Sequence, residues 1–153
     1  MKDSDMKDSD MKDSNYYDTF ILIAEDCPVV AGTAPPSRSD TPTVPELQYE
    51  LLSARPYGYT QMELLFEVHL RRHDIALSEN NRDWLWADFF SREHPCLRAS
   101  PLAKRYGWGI HFDGAGKAAL CGAETDAYQH FAAGLGGSLG RLKAMRNKRR
   151  VNP

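Results

Sequence analysis

The chain has 153 residues, enough for one domain with its own core. Apolar residues make up 42% and charged residues 26%, as in ordinary soluble proteins, and a net charge of −2 excludes a wholly basic nucleic-acid binder. The charge is uneven: residues 1–50 hold 4 Lys/Arg against 11 Asp/Glu, and residues 141–150 hold 6 Lys/Arg and no acid. An acidic head and a basic tail are thus available to each other or to separate partners.

Nothing approaches the roughly 20 apolar residues of a membrane span. The longest early apolar run, Phe20–Ala24, is too short for the core of a signal peptide. Cys27, Cys96 and Cys121 form no C-x-x-C pair, which points to a reducing, cytoplasmic setting rather than a disulfide framework.

Residues 1–15 run Met-Lys-Asp-Ser-Asp twice and then Met-Lys-Asp-Ser-Asn. This pentad repeat is too polar to form a core and is expected to be disordered, with possible starts at Met1, Met6 and Met11. A globular domain is expected over residues 16–137, followed by a basic C-terminal helix or tail over 138–153.

Thr19–Ala24 is β-rich and apolar and predicts a strand. Pro28 to Pro45 holds five of the nine prolines and predicts an extended loop. Thr43-Val-Pro-Glu46 and Thr60-Gln-Met-Glu63 each read as a capping box, in which Thr accepts from the helix start and Glu reaches back. They predict helices to about Ala54 and Arg72, the first burying Val44, Leu47, Leu51 and Leu52. The second carries a stripe of Met62, Leu65, Phe66, His69 and Leu70. A third helix is expected from Ser78 to Glu93, buried on more than one side by Trp84, Leu85, Trp86, Phe89 and Phe90.

Arg105-Tyr-Gly-Trp-Gly-Ile-His-Phe-Asp113 predicts a strand with Tyr106, Trp108, Ile110 and Phe112 on one face. Gly107, Gly109, His111 and Asp113 fall on the other, leaving nearly bare backbone that a ligand or partner can approach. Asp113-Gly-Ala-Gly116 turns the chain into Lys117–Cys121 as a hairpin. Thr125–Ala133 reads as a short helix ended by Gly134, Gly136 and Gly137. Ser138 is placed to cap a last helix with Leu139, Leu142 and Met145 on one side. The order predicts an α+β fold: a single domain with a small, largely antiparallel sheet packed against several helices.

At Asn15-Tyr-Tyr-Asp-Thr-Phe20, Gln48-Tyr-Glu-Leu-Leu-Ser53 and the Tyr106–Asp113 strand, the chain resembles a family of short bacterial proteins of unknown function. The likeness covers roughly Met11 to Met145. It implies a bacterial, cytoplasmic protein and carries no activity, ligand or catalytic residue; the tripled start departs from the family pattern.

Several residues are candidates for chemistry. Gly136-Gly-Ser138-Leu-Gly140 matches G-x-S-x-G, but a helix precedes it and no histidine follows, so a glycine-rich helix break is the better reading. Gly114-Ala-Gly-Lys117 lacks the first glycine and the Ser/Thr of a phosphate loop, and a hairpin turn explains it better. Neither motif assigns a cofactor. His69 and His73 lie one helical turn apart at metal-ligand spacing, with His94, Cys96 and His111 as further donors. Lys104-Arg-Tyr-Gly-Trp-Gly is a poor match to the aromatic strands of RNA-binding sheets.

His111 and Asp113 share a strand face and are the candidate acid–base pair, with Cys121 and Glu124 as possible neighbours. Arg141, Lys143, Arg146, Lys148, Arg149 and Arg150 give the tail a non-specific handle for nucleic acid. The leading expectation is a small binding or interaction module, for a protein partner or a small ligand. Its working surface would be Gly107, Gly109, His111 and Asp113, with Lys104 and Arg105 at the edge. The rival readings are a small metal-dependent or His/carboxylate enzyme, and a nucleic-acid-associated protein.

Overall fold

The computed structural model describes residues 13–37, 40–134 and 137–148. In chain order the elements are β1 (Thr19–Leu22), α1 (Val44–Ala54), β2 (Tyr59–Thr60), α2 (Gln61–Arg72) and α3 (Arg82–Phe90). A 3₁₀ turn (Leu97–Ala99) leads into α4 (Pro101–Lys104), then β3 (Trp108–Phe112), β4 (Lys117–Gly122), α5 (Asp126–Ala132) and β5 (Gly140–Lys143). Together they form the expected single α+β domain. The sheet order is β2-β4-β3-β1-β5, with every pairing antiparallel except β1 with β5. Among the described residues no helix is long and apolar enough to cross a membrane.

The two capping boxes start their helices as the sequence predicts. Thr43 Oγ1 accepts from the Glu46 backbone while Glu46 reaches back to Thr43 N, and Thr60 and Glu63 repeat the arrangement. Asn15 adds a third partner to the α2 start, its Oδ1 accepting from Met62 N at 2.8 Å. The stretch Asp13–Asn15, expected to be disordered, is therefore tied to a helix end. The remainder of the pentad repeat lies outside the described residues.

The sheet carries helices on both faces. Ile21, Ile110, Phe112 and Ala118 face α1, α2 and α4 in one core, joined by Leu51, Leu64 and Leu102. On the opposite face Phe20 and Cys121 pack with Tyr128 of α5. Phe20, Ile21, Ile110 and Phe112 are all fully buried, which stabilises by ~1.5–3 kcal/mol for each side chain.

Three local expectations are corrected. On α2 the buried side chains are Gln61, Met62, Leu64, Phe66, Val68 and Leu70, whereas Leu65 and His69 are half-buried and face a cleft. The third helix is shorter than expected and only Phe89 is buried on it, while Trp84 is 65% exposed. It packs by one side against Phe66 and Leu70 rather than inside the core. The last helix is replaced by β5. Its residues favour helix, but β1 has a free edge, and pairing Ile21 with Leu142 in parallel register satisfies that backbone. Gly140 N donates to Asp18 O and Ala144 N to Leu22 O, extending the ladder at both ends.

Candidate functional site

The glycine-bearing face of β3 is covered. Gly109 lies under α5, where a Cβ would come within 2.7 Å of both the Phe20 and the Tyr128 rings. Gly107 has φ +77° and sits against the backbone carbonyl of Ala31, so the Pro-rich loop closes over it. The bareness of this face serves packing within the molecule. Lys104 and Arg105 lie beyond its far end, and Arg105 Nε donates to Asn147 Oδ1.

His111 stays half-exposed at the other end of the strand. Its ring lies flat on Phe131, with centroids 4.1 Å apart and planes at 12°, and its Nδ1 is 2.8 Å from the Tyr57 hydroxyl. Burial holds its pKa below the ordinary value against the opposing pull of Asp113 and Asp18. Burial also raises the Tyr57 phenol and the Cys121 thiol. The His111 and Tyr57 shifts both disfavour proton transfer between the two rings, so the contact is a hydrogen bond between a neutral phenol and a neutral imidazole. Asp113, the intended partner, is otherwise engaged: its Oδ1 accepts from Ala115 N and Lys117 N and so builds the hairpin turn. Sequence spacing could not reveal Tyr57, which reaches His111 because its φ of +59° and its N–H bond to Ala118 O turn it onto the sheet.

A cleft lies elsewhere, between α1, α2, the end of α3 and the segment 94–101. A cavity of about 430 Å³ is walled by Val44, Pro45, Leu65, Val68, Phe89 and Pro101. Its polar lining comes from Gln48, His69, Arg72, His73, His94 and Ser100. Among the described residues no Asp or Glu lines it. A second cavity of about 590 Å³ continues from it, sharing Leu65, His94, Pro95, Cys96 and Ala99 and running past Arg92 and Glu93. The helix periodicity that put Leu65 and His69 into a core stripe hid their role as cleft wall.

The histidines of this cleft are arranged around Phe89. His94 stacks on it at 3.7 Å and 13°, and His69 touches it at 4.6 Å. His94 Nε2 is 2.6 Å from Phe89 O; a carbonyl only accepts, so that nitrogen carries its proton. His69 and His73 have ring centroids 4.7 Å apart. Burial lowers the His69 pKa first, and His73, His94 and Arg92 lower it further against Asp88. Among the described residues no group of three or more His, Cys, Asp or Glu converges to hold a metal ion. Phe89 keeps His94 apart from the His69–His73 pair.

At the cleft floor Gln48 and Ser100 are each only 4% exposed. Ser100 Oγ donates to Gln48 Oε1 at 2.7 Å and accepts from Leu102 N, capping α4. Cys96 lies at the junction of the two cavities, where the Tyr16 hydroxyl donates to its sulfur at 3.5 Å. Burial pushes the Tyr16 phenol up to about 12.

The basic tail is held by the acidic head. Lys143 and Arg146 pair with Glu25, Arg146 also with Asp26, and Asp26 accepts from the backbone of Asn147 and Lys148. Arg141 donates to Ala132 O. Arg149 and Arg150 lie outside the described residues.

The chain belongs to the family of unknown function DUF6157, whose sequence model matches residues 11–150. No curated protein matches the chain. No solved structure matches it either.

Proposed function

We propose that this member of the family is a small-ligand binding module whose working site is the cleft between α1, α2 and the segment 94–101. The observation that carries the reading is the cavity of about 430 Å³, apolar on its walls and polar at Gln48, Ser100 and the histidines. Ligand sites are typically clefts of ~300–1,000 Å³ with that division of labour, apolar for affinity and a few polar groups for orientation. A lone exposed apolar side chain needs no explanation, but an open cavity bordered by half-buried Leu65, His69 and His94 does. Three free cysteines, none paired, support a reducing, cytoplasmic setting.

The test uses indole as an apolar probe and the amide NMR spectrum of the full chain. Indole is expected to shift amides of 44–48, 65–73 and 94–101 and to leave those of β3 and β4 unmoved. Ala99→Trp, placed where the two cavities meet, is expected to abolish the shifts while keeping a dispersed, folded spectrum. Shifts scattered over the surface, or none at millimolar indole, would sink the cleft as a binding site.

A further inference from the structure

We infer that the cleft selects small organic anions, an apolar body carrying one carboxylate that Arg72 and the Gln48 amide receive. This rests on the cleft being a binding site and adds the charge of its ligand.

The first observation is an unmatched cation. Arg71 and Arg72 are neighbours in the last turn of α2, where positive charge complements the helix dipole. That effect explains why cations gather at the helix end, but it treats the two alike. Arg71 pairs with Glu67 at 2.9 Å, whereas Arg72, an exposed residue, lines the cavity and makes no ion pair or hydrogen bond among the described residues. The cavity it borders has no acidic lining residue among those described. A guanidinium is the side chain best shaped to take a carboxylate through two parallel hydrogen bonds.

The second observation is a donor at the floor. Gln48 spends its Oε1 on Ser100, and its Nε2 has no hydrogen-bond partner among the described residues. Yet among those residues no fully enclosed side-chain nitrogen or oxygen lacks a partner. The Nε2 of this 4%-exposed residue therefore opens onto the cavity it lines. An amide donor opening onto a largely apolar cleft is a group that a ligand oxygen can take in place of water. Walls of Val44, Leu65, Val68 and Phe89 take the apolar body. An exposed guanidinium and a deeply buried residue's amide donor in one lining favour an acid over a neutral or cationic ligand.

The experiment compares indole-3-acetate with indole-3-ethanol, which share a ring system and differ in the carboxylate, by NMR titration of the full chain at pH 7. Indole-3-acetate is expected to bind at least tenfold more tightly, and Arg72→Gln to remove about tenfold of its affinity while leaving indole-3-ethanol unchanged. Gln48→Met is expected to weaken the acid selectively as well, and it serves as a second probe inside the cleft. Equal binding of both probes, with Arg72→Gln silent, overturns the anion preference and leaves the cleft standing as a neutral site. Failure of indole and both derivatives to shift cleft amides overturns the cleft itself.

Discussion

Gly109 and Tyr128 are packed so closely that the glycine has no room for a side chain. A Cβ would stand 2.7 Å from Tyr128 Cε2 and 2.7 Å from Phe20 Cζ, both in the small core under α5. The Tyr128 hydroxyl also accepts from Ile23 N at 3.0 Å, so the ring cannot retreat without breaking that bond. Gly109→Ala is therefore expected to destabilise by ~1–3 kcal/mol, the cost of overpacking a filled core. Urea unfolding of the variant checks it. Unchanged stability would mean that α5 does not sit on this strand.

The helix starts should respond as independent caps. Thr43→Ala and Thr60→Ala each remove the side-chain acceptor for the third helical N–H. Each is expected to cost ~1 kcal/mol by equilibrium unfolding. Glu63→Ala should exceed Glu46→Ala, because Glu63 also takes the Lys117 ammonium at 3.0 Å and so ties α2 to β4.

These caps mark what was readable in advance. A capping box is a local device, and four consecutive residues contain all of it. The hairpin at Asp113–Gly116 and the short helix beginning at Thr125 are local in the same way. β5 is not: Arg141-Leu-Lys-Ala has good helix propensity, and only the unpaired edge of β1, about 120 residues earlier, makes it a strand. The covering of the glycine face was hidden for the same reason. Gly107 and Gly109 are flat because the Ala31 carbonyl and the Tyr128 ring need the space, and nothing within the strand announces those partners. The cleft is assembled from α1, α2 and the segment 94–101, which meet only in three dimensions.

Two imidazoles make stability depend on pH. Burial lowers the pKa of both His69 and His111 from the ordinary value of 6.5. The folded chain then holds fewer protons than the unfolded one below about pH 6.5, so stability falls as pH drops through that window. Above it both groups are neutral in either state and the effect vanishes. The carboxylates with lowered pKa values, such as Glu63, act only further into acid, below 4.5. Ring NMR titration is expected to give both histidines midpoints under 6.5, and the thermal midpoint should decline between pH 7 and 5. Midpoints at or above 6.5 would contradict the half-buried placement of these rings.

The tail offers a direct trial of the nucleic-acid reading. Lys143 and Arg146 are the cations that would meet a phosphate backbone, yet both already face Glu25, and Arg146 also faces Asp26. The Asp26 carboxyl is held below its usual range by the Asn147 and Lys148 amides and by Arg146, so it stays charged at neutral pH. An acidic pair of this kind competes with phosphate for the same cations. Glu25→Gln with Asp26→Asn is expected to free the tail and delay elution from heparin to higher salt. A control with Glu50→Gln and Glu79→Gln changes net charge equally at exposed positions away from the tail. The shift should be clearly larger for the first pair, and amide exchange at Asn147 and Lys148 should quicken in that variant alone. Equal elution of the two double variants would show that the head does not restrain the tail, and the tail would then stand as a free polycation.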